Sequence, residues 1–248
     1  MTPTLLISEE FQAPQGEGPN MGRPMYWVRL GGCNQACSWC DAAYACFYDE
    51  RHASQHESGV RYDPKTELTR SSVEALATRI AVTNYTTVSL TGGEPLLQQE
   101  ALGGLLDHPL MQRQGQEWHF ETAGTVVPWR FTSYGNVFFN VSPKLASSGN
   151  PLEVRRVPKA LQALAALPSV FKFVLDTRSE RYLADLTEVE YLVREHAIPP
   201  HRVWLMPCGT TSQEVAQGMA ILEPLALARQ WNLSGRLQVF MHGDQRGW

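Results

Sequence analysis

Three thiols crowd into eight residues, Cys33-Asn-Gln-Ala-Cys37-Ser-Trp-Cys40. Thiolates held this close suit soft metals, and both zinc and iron–sulfur clusters favour sulfur ligands. A trio rather than a quartet leaves one corner of a cube open to a substrate or cofactor. A structural zinc site is the alternative, completed by Cys46 or by a histidine such as His52. The chain holds five cysteines, an odd number, and three of them sit in this one loop. A secreted disulfide framework spreads an even number along the chain, so a reducing compartment fits better.

Other polar groups recur where apolar runs end. Thr91-Gly92-Gly93-Glu94-Pro95 closes one run, and its glycines let backbone approach a ligand closely. A plain strand-to-helix turn would read the same way. Glu121-Thr122-Ala123-Gly124-Thr125 and Ser142-Pro143-Lys144 close two more, although Lys144 alone reads equally well as a solvated lysine. Arg29 stands four residues before Cys33, suited either to a ligand carboxylate or to a strand-end ion pair. Upstream lies Phe11-Gln-Ala-Pro14-Gln15-Gly16-Glu17-Gly18, with polar groups packed between small residues.

The elements that must position these groups follow from patterning. Apolar runs at Tyr26–Leu30, Thr87–Thr91, Trp118–Thr122, Val137–Val141, Val170–Leu175, Arg202–Met206 and Leu237–Phe240 predict strands. Helical periodicity predicts helices over 97–106, 158–167 and 182–196. Capping boxes at Ser71–Glu74 and Thr211–Glu214 open two further helices, reaching about Val82 and Arg229. This alternation implies parallel strands joined by right-handed crossovers. A 248-residue chain is short for eight units, so an α/β fold with a partial (β/α)6 barrel of the TIM type is expected, as a single domain over 1–248. Residues 1–25 form an N-terminal extension, and residues 41–70, without sustained period, read as an insertion after the cluster loop at 31–42.

Composition narrows the class further. The net charge of −4 argues against a nucleic-acid binder. No apolar run is long enough for a membrane span, and the acidic start does not read as a signal peptide. A cytoplasmic enzyme is the expectation.

The spacing Cys-x-x-x-Cys-x-aromatic-Cys, with Trp39 at the aromatic place, resembles the signature of radical S-adenosylmethionine enzymes. In that superfamily the cysteines, here Cys33, Cys37 and Cys40, hold a 4Fe-4S cluster whose fourth iron chelates the cofactor. Reductive cleavage then gives a 5′-deoxyadenosyl radical. Thr91–Pro95 is similar to the superfamily's motif for the amino-acid end of S-adenosylmethionine. With Gln15–Gly18, Arg29, Glu121–Thr125 and Ser142–Lys144 in the same order, most of the chain resembles the 7-carboxy-7-deazaguanine synthases of queuosine and 7-deazapurine biosynthesis.

That resemblance implies conversion of 6-carboxy-5,6,7,8-tetrahydropterin to 7-carboxy-7-deazaguanine and ammonia by radical ring contraction. It assigns Gly93, Glu121, Ser142, Pro143 and Lys144 to S-adenosylmethionine. It assigns Pro14, Gln15, Gly16, Glu17, Arg29, Thr91 and His242 to the substrate, with the tail 243–248 closing over it. It also implies a reductant protein such as flavodoxin or ferredoxin, and a homodimer. The family commonly places a threonine beside the last cluster cysteine as a magnesium ligand. Here the triplet is Cys40-Asp41-Ala42, which removes that oxygen and leaves Asp41 as the substitute ligand if Mg2+ is used at all. Two other readings share some of these features: a glycyl-radical-enzyme activase, and a non-catalytic zinc-binding module.

Overall fold

Residues along the central strands alternate between an apolar face and a polar one, as the two-residue period of a strand requires. A computed structural model, which describes residues 3–247, joins nine strands in one sheet. They are β1 (Thr4–Pro14), β2 (Pro24–Leu30), β3 (Thr69–Ser72), β4 (Thr87–Gly92), β5 (Glu117–Thr122), β6 (Val137–Val141), β7 (Ser169–Leu175), β8 (Val203–Pro207) and β9 (Asn232–Leu233). The order is β3-β1-β2-β4-β5-β6-β7-β8-β9. β1 runs antiparallel to β2 and β3, and every other pairing is parallel. The open sheet carries six parallel strands, β2 and β4 to β8, before the short β9, which is the partial-barrel α/β class expected.

The apolar face supplies the core. Val28, Leu90, Phe120, Phe139, Phe173 and Leu205 join one continuous cluster with helix residues such as Leu76, Leu102, Leu161 and Leu222. The helices are α1 (Glu50–Gln55), α2 (Pro64–Glu67), α3 (Val73–Ala81), α4 (Gln99–Leu106), α5 (Pro109–Gln114), α6 (Leu152–Arg155), α7 (Pro158–Ala165), α8 (Tyr182–Glu195), α9 (Ser212–Arg229) and α10 (Leu237–His242). Between β5 and β6 the crossover is a loop with a single 3-10 turn, Trp129–Phe131, in place of an α-helix. The opposite face of the sheet carries Arg29, Ser89, His119, Glu121, Asn140 and Lys172, and so is polar where the ligand-facing side of a barrel lies.

Four expectations need correction. The run Leu237–Phe240 is not a strand but the start of α10, with Val239 buried and Phe240 and Met241 exposed. A four-residue apolar run does not separate strand from helix by period, and the place beside β8 goes to Asn232–Leu233. The N-terminal extension contains the eleven-residue β1, which buries Leu5 and Ile7 against the core. Its polar positions hid it from a search for apolar runs. The insertion 41–70 holds α1, α2 and the start of β3 rather than a bare loop. Finally, α3 is capped by Ser72, whose hydroxyl accepts from the Ala75 amide, whereas the Ser71 hydroxyl donates to the Ser72 carbonyl. The box at Thr211–Glu214 forms as expected. Trp248, the last residue of the tail, and Met1 and Thr2 lie outside the described residues.

Candidate functional site

The C-terminal ends of β2, β4, β5 and β6 gather the conspicuous motifs at one edge, where parallel α/β sheets bind ligands. β2 ends at Leu30, and Gly32 (φ +89°) turns the chain into the cysteine loop with its amide donating to Ala45 O at 2.8 Å. Cys37 is buried and Cys33 and Cys40 are half-buried. N–H groups point at two sulfurs: Asn150 Nδ2 donates to Cys37 Sγ at 3.2 Å and Gln35 N to Cys33 Sγ at 3.4 Å. Asn150 also accepts from Ala36 N at 2.8 Å, and Ser148 O accepts from Ser38 N at 3.0 Å. The 148–150 segment therefore braces the loop from outside, a role no motif announced.

Burial pushes the Cys33 thiol up and the Cys37 thiol up to about 11, with the Lys144 ammonium pulling the latter back. A hydrogen bond from Cys46 moves Cys40 the other way. Cluster or metal binding supplies the positive charge that keeps buried thiolates deprotonated. Among the described residues, no group of three or more His, Cys, Asp or Glu side chains is arranged to hold one metal ion. Of the extra ligands of the zinc alternative, Cys46 lies beside the cysteine loop and only His52 is engaged away from it. Cys46 is turned to Cys40 and the Ala42 carbonyl, and His52 Nδ1 meets Asp49 Oδ2 at 2.8 Å. The donor set, three sulfurs of which two have N–H donors at their backs, fits an iron–sulfur cluster.

The Thr91–Pro95 loop presses against this one. Gly93 N donates to Leu30 O at 3.0 Å and Glu94 N to Gly32 O at 2.9 Å. A Cβ at Gly93 would stand 1.9 Å from Gly32 O, so only glycine permits the approach. Glu94 is wholly buried and accepts from Thr122 Oγ1 at 2.8 Å and Ala123 N at 2.8 Å, tying the end of β4 to that of β5. Ser142 N bonds Thr122 O at 2.7 Å, and Lys144 Nζ folds back to Ser142 Oγ at 3.0 Å with its charge 5.8 Å over the Trp39 ring. Gly93, Ser142, Pro143 and Lys144 thus share one cradle with the cysteines.

Glu121 lies elsewhere. It joins a buried network on the polar face of the sheet, accepting from Gln15 Nε2 and Asn140 Nδ2, both at 2.9 Å, and from Lys172 Nζ at 3.4 Å. Lys172 also pairs with Glu17 Oε2. Glu17 accepts in addition from Arg236 Nε at 3.2 Å and Gln238 Nε2 at 2.8 Å. Burial alone would raise the Glu17 carboxyl, but Lys172 and Arg236 outweigh it and hold it at about 2. Burial would likewise strip the Lys172 proton, and Glu121 and Glu17 keep it on. Gly16 lets α10 dock here, because its carbonyl accepts from Leu237 N at 2.9 Å and a Cβ would meet Gln238 Oε1 at 1.8 Å.

Arg29 is half-buried and paired through Nε to Glu9 at 2.6 Å, with its guanidinium over Phe11 and Tyr44. Its Nη1 and Nη2 have no hydrogen-bond partner among the described residues, so the outer edge of the fork is unspent. Thr91 lies opposite Arg29 in the β2–β4 register. Pro14 ends β1, and His242 ends α10 rather than following a strand. Asp41 is bound by Arg236 Nη2 at 2.5 Å, and Ala42 is buried. Sequence reasoning missed Lys172, Arg236, Asn140 and Glu9. Lys172 did leave a signal, as the one charged residue within Ser169–Leu175, a strand buried throughout.

Residues 15–129 match a family described as a 4Fe-4S single cluster domain, which sets the class that the cysteine loop and its cradle define. The curated relatives are more specific. A 7-carboxy-7-deazaguanine synthase from Rhodopirellula baltica is 32% identical, covering 98% of this chain and 89% of its own. Another from Pyrobaculum aerophilum is 30% identical over 99% and 98%. The crystal structure of QueE from Escherichia coli shares the fold, with a TM-score of 0.64, 24% identity and 93% coverage of each chain. The chain belongs to the 7-carboxy-7-deazaguanine synthase family.

Proposed function

We propose that this chain converts 6-carboxy-5,6,7,8-tetrahydropterin to 7-carboxy-7-deazaguanine and ammonia, using a 4Fe-4S cluster on Cys33, Cys37 and Cys40 and S-adenosylmethionine in the adjoining cradle. The observation that carries this reading is the meeting, at one sheet edge, of the three-cysteine loop, the Gly93 loop and a buried network of carboxylates and cations. When bound, the cluster and S-adenosylmethionine supply a 5′-deoxyadenosyl radical, the hard part of the chemistry. What remains for the protein is to bind, orient and shield the pterin.

Gly93, Ser142, Pro143 and Lys144 receive the amino-acid end of the cofactor. Lys144 offers a positive charge toward a carboxylate, and Gly93 lets backbone come close. Arg29 presents its two unspent nitrogens to the substrate carboxylate, oriented by Glu9 behind it, which in turn is held by Tyr44 Oη at 2.8 Å and Arg246 Nε at 3.1 Å. Thr91 lines the same wall. The backbone at Pro14, Gln15 and Gly16 and the Glu17 carboxylate read the heterocycle, with His242 approaching from α10. We place Glu121 with this floor rather than with the cofactor, because its hydrogen bonds run to Gln15, Asn140 and Lys172.

The residues present do not fit magnesium beside Cys40. Ala42 contributes no oxygen, and Asp41 already neutralises the Arg236 guanidinium. We therefore assign charge compensation in this corner to arginine. A flavodoxin- or ferredoxin-type reductant, a cytoplasmic setting, a homodimer and one catalytic unit over 1–248 complete the reading; among the described residues no helix is long and apolar enough to cross a membrane. The activase reading accounts for the cysteine and Gly93 loops but gives the Glu17–Lys172–Glu121 network no ligand. Anaerobic incubation with carboxytetrahydropterin, S-adenosylmethionine and a reductant, followed by mass spectrometry, is the test. Formation of the deazaguanine is expected, and its absence with cofactor cleavage intact would overturn the substrate assignment.

A further inference from the structure

The buried network has a count of unspent bonds that specifies its ligand. A carboxylate oxygen accepts about two hydrogen bonds, and an ammonium donates three. On Glu17, Oε1 is saturated by Arg236 Nε at 3.2 Å and Gln238 Nε2 at 2.8 Å, while Oε2 holds only Lys172. On Glu121, Oε1 is saturated by Gln15 and Asn140, both at 2.9 Å, while Oε2 again holds only Lys172, at 3.4 Å. Lys172 Nζ spends two N–H groups on these carboxylates, and its third has no acceptor among the described residues. One acceptor site on each carboxylate and one donor on the ammonium therefore remain, all around a single nitrogen. Glu17 and Glu121 keep 14% and 16% of their side-chain surface exposed, so the carboxylates are not sealed within the core.

We propose that Lys172 is a specificity-determining residue that reads the 4-oxo group of the substrate heterocycle, while Glu17 and Glu121 take its 2-amino and N3 hydrogens. A 2-amino-4-oxopyrimidine edge offers two donors followed by one acceptor, the complement of two acceptors and one donor. Lys172 acts twice: its charge holds the two carboxylates side by side, and its third N–H selects an oxygen over an amino group. Replacing the oxo group by an amino group sets a donor against the Lys172 donor and, because N3 then carries no hydrogen, a lone pair against a carboxylate, in a buried site where unmatched polar contacts discriminate strongly. The inference rests on the pterin reading above and deepens it.

The reconstituted holoenzyme with S-adenosylmethionine, kept unreduced, is titrated with pterin-6-carboxylate, 2,4-diaminopteridine-6-carboxylate and the 2,4-dioxo analogue, lumazine-6-carboxylate. The titrations are run at a pH where each ring is neutral. The wild-type protein should hold the 4-oxo pterin at least about a hundredfold more tightly than the diamino compound, the cost of losing charge-assisted bonds at both the 4-oxo group and N3. In Lys172→Met that preference should shrink by about tenfold or more, the part owed to the N3 hydrogen remaining, whereas the dioxo compound, which faces the carboxylates with one oxygen too many, should stay weak. Equal or tighter binding of the diamino compound by wild-type protein would overturn the proposal without any variant, so it survives a misfolded Lys172→Met. A preference undiminished in a folded Lys172→Met would overturn it too. If none of the three compounds binds, the pterin reading itself fails.

Discussion

The two halves of the site are built in different ways. The side proposed for the cofactor is made of backbone turns and small residues drawn from short segments, with Gly93 lying against Gly32 and Ser142 amide on Thr122 carbonyl. The side proposed for the substrate is made of charged side chains from separated segments, with Glu17, Glu121, Lys172 and Arg236 converging across more than two hundred residues of chain. A cofactor with a constant shape suits a rigid backbone cradle. A polar heterocycle is recognised by donors and acceptors, which buried and paired side chains hold in fixed orientation at the expense of desolvation.

The sharpest way to separate the halves is to remove a cluster ligand. Replacing Cys33, Cys37 or Cys40 by Ala should abolish reductive cleavage of S-adenosylmethionine, at least a thousandfold by chromatographic assay of 5′-deoxyadenosine, because radical generation has no other route. Near-normal cleavage in any one variant would remove that cysteine from the site. Next in size, Gly93→Ala forces a Cβ to within 1.9 Å of the Gly32 carbonyl. The two loops must part, and cofactor affinity should fall by at least about tenfold in equilibrium binding.

On the substrate side, Arg29→Ala should weaken binding of the carboxylated pterin by about tenfold to a hundredfold, the worth of a charge-assisted pair. Binding of the same heterocycle lacking the carboxylate should hardly change. Equal losses for both ligands would point to Arg29 as a structural partner of Glu9 instead.

A smaller effect concerns acid stability. The Glu17 carboxyl lies at about 2 in the folded protein, below its ordinary 4.5. The folded state therefore binds fewer protons than the unfolded state, and this contribution is full above about pH 4.5 and is lost as pH falls toward 2. Glu17→Gln should flatten that limb of a stability-against-pH curve measured by denaturant titration, and an unchanged limb would show that other carboxylates dominate it. The smallest expected effect is that of magnesium. Chelation by EDTA should alter turnover by less than about twofold, given the lack of free hard-oxygen ligands beside Cys40. A strong magnesium requirement abolished by Asp41→Asn would show that the metal displaces Arg236 from Asp41.

The contrast between the halves also marks how far the chain could be read in advance. The parallel strands, the long helices and the cradle residues were legible, because each depends on a local period or on motif spacing within a few residues. β1 was hidden since five of its eleven positions are polar, among them the consecutive Ser8, Glu9 and Glu10. α10 was misread since Leu237–Phe240 is too short for its period to speak. Glu121 carried a motif's expectation toward the cofactor, whereas its hydrogen bonds to Gln15, Asn140 and Lys172 come from residues no motif joins to it.

By itself the sequence determined the chemistry available at the strand ends: three thiols without a fourth partner in the loop, glycines where backbone must approach, and an alanine where an oxygen was expected. Tertiary structure decided which charges meet. Ion pairing falls off over a few ångströms and takes no account of separation along the chain, so Lys172 between Glu17 and Glu121, and Arg236 between Glu17 and Asp41, exist only once the sheet has closed and α10 has docked on Gly16.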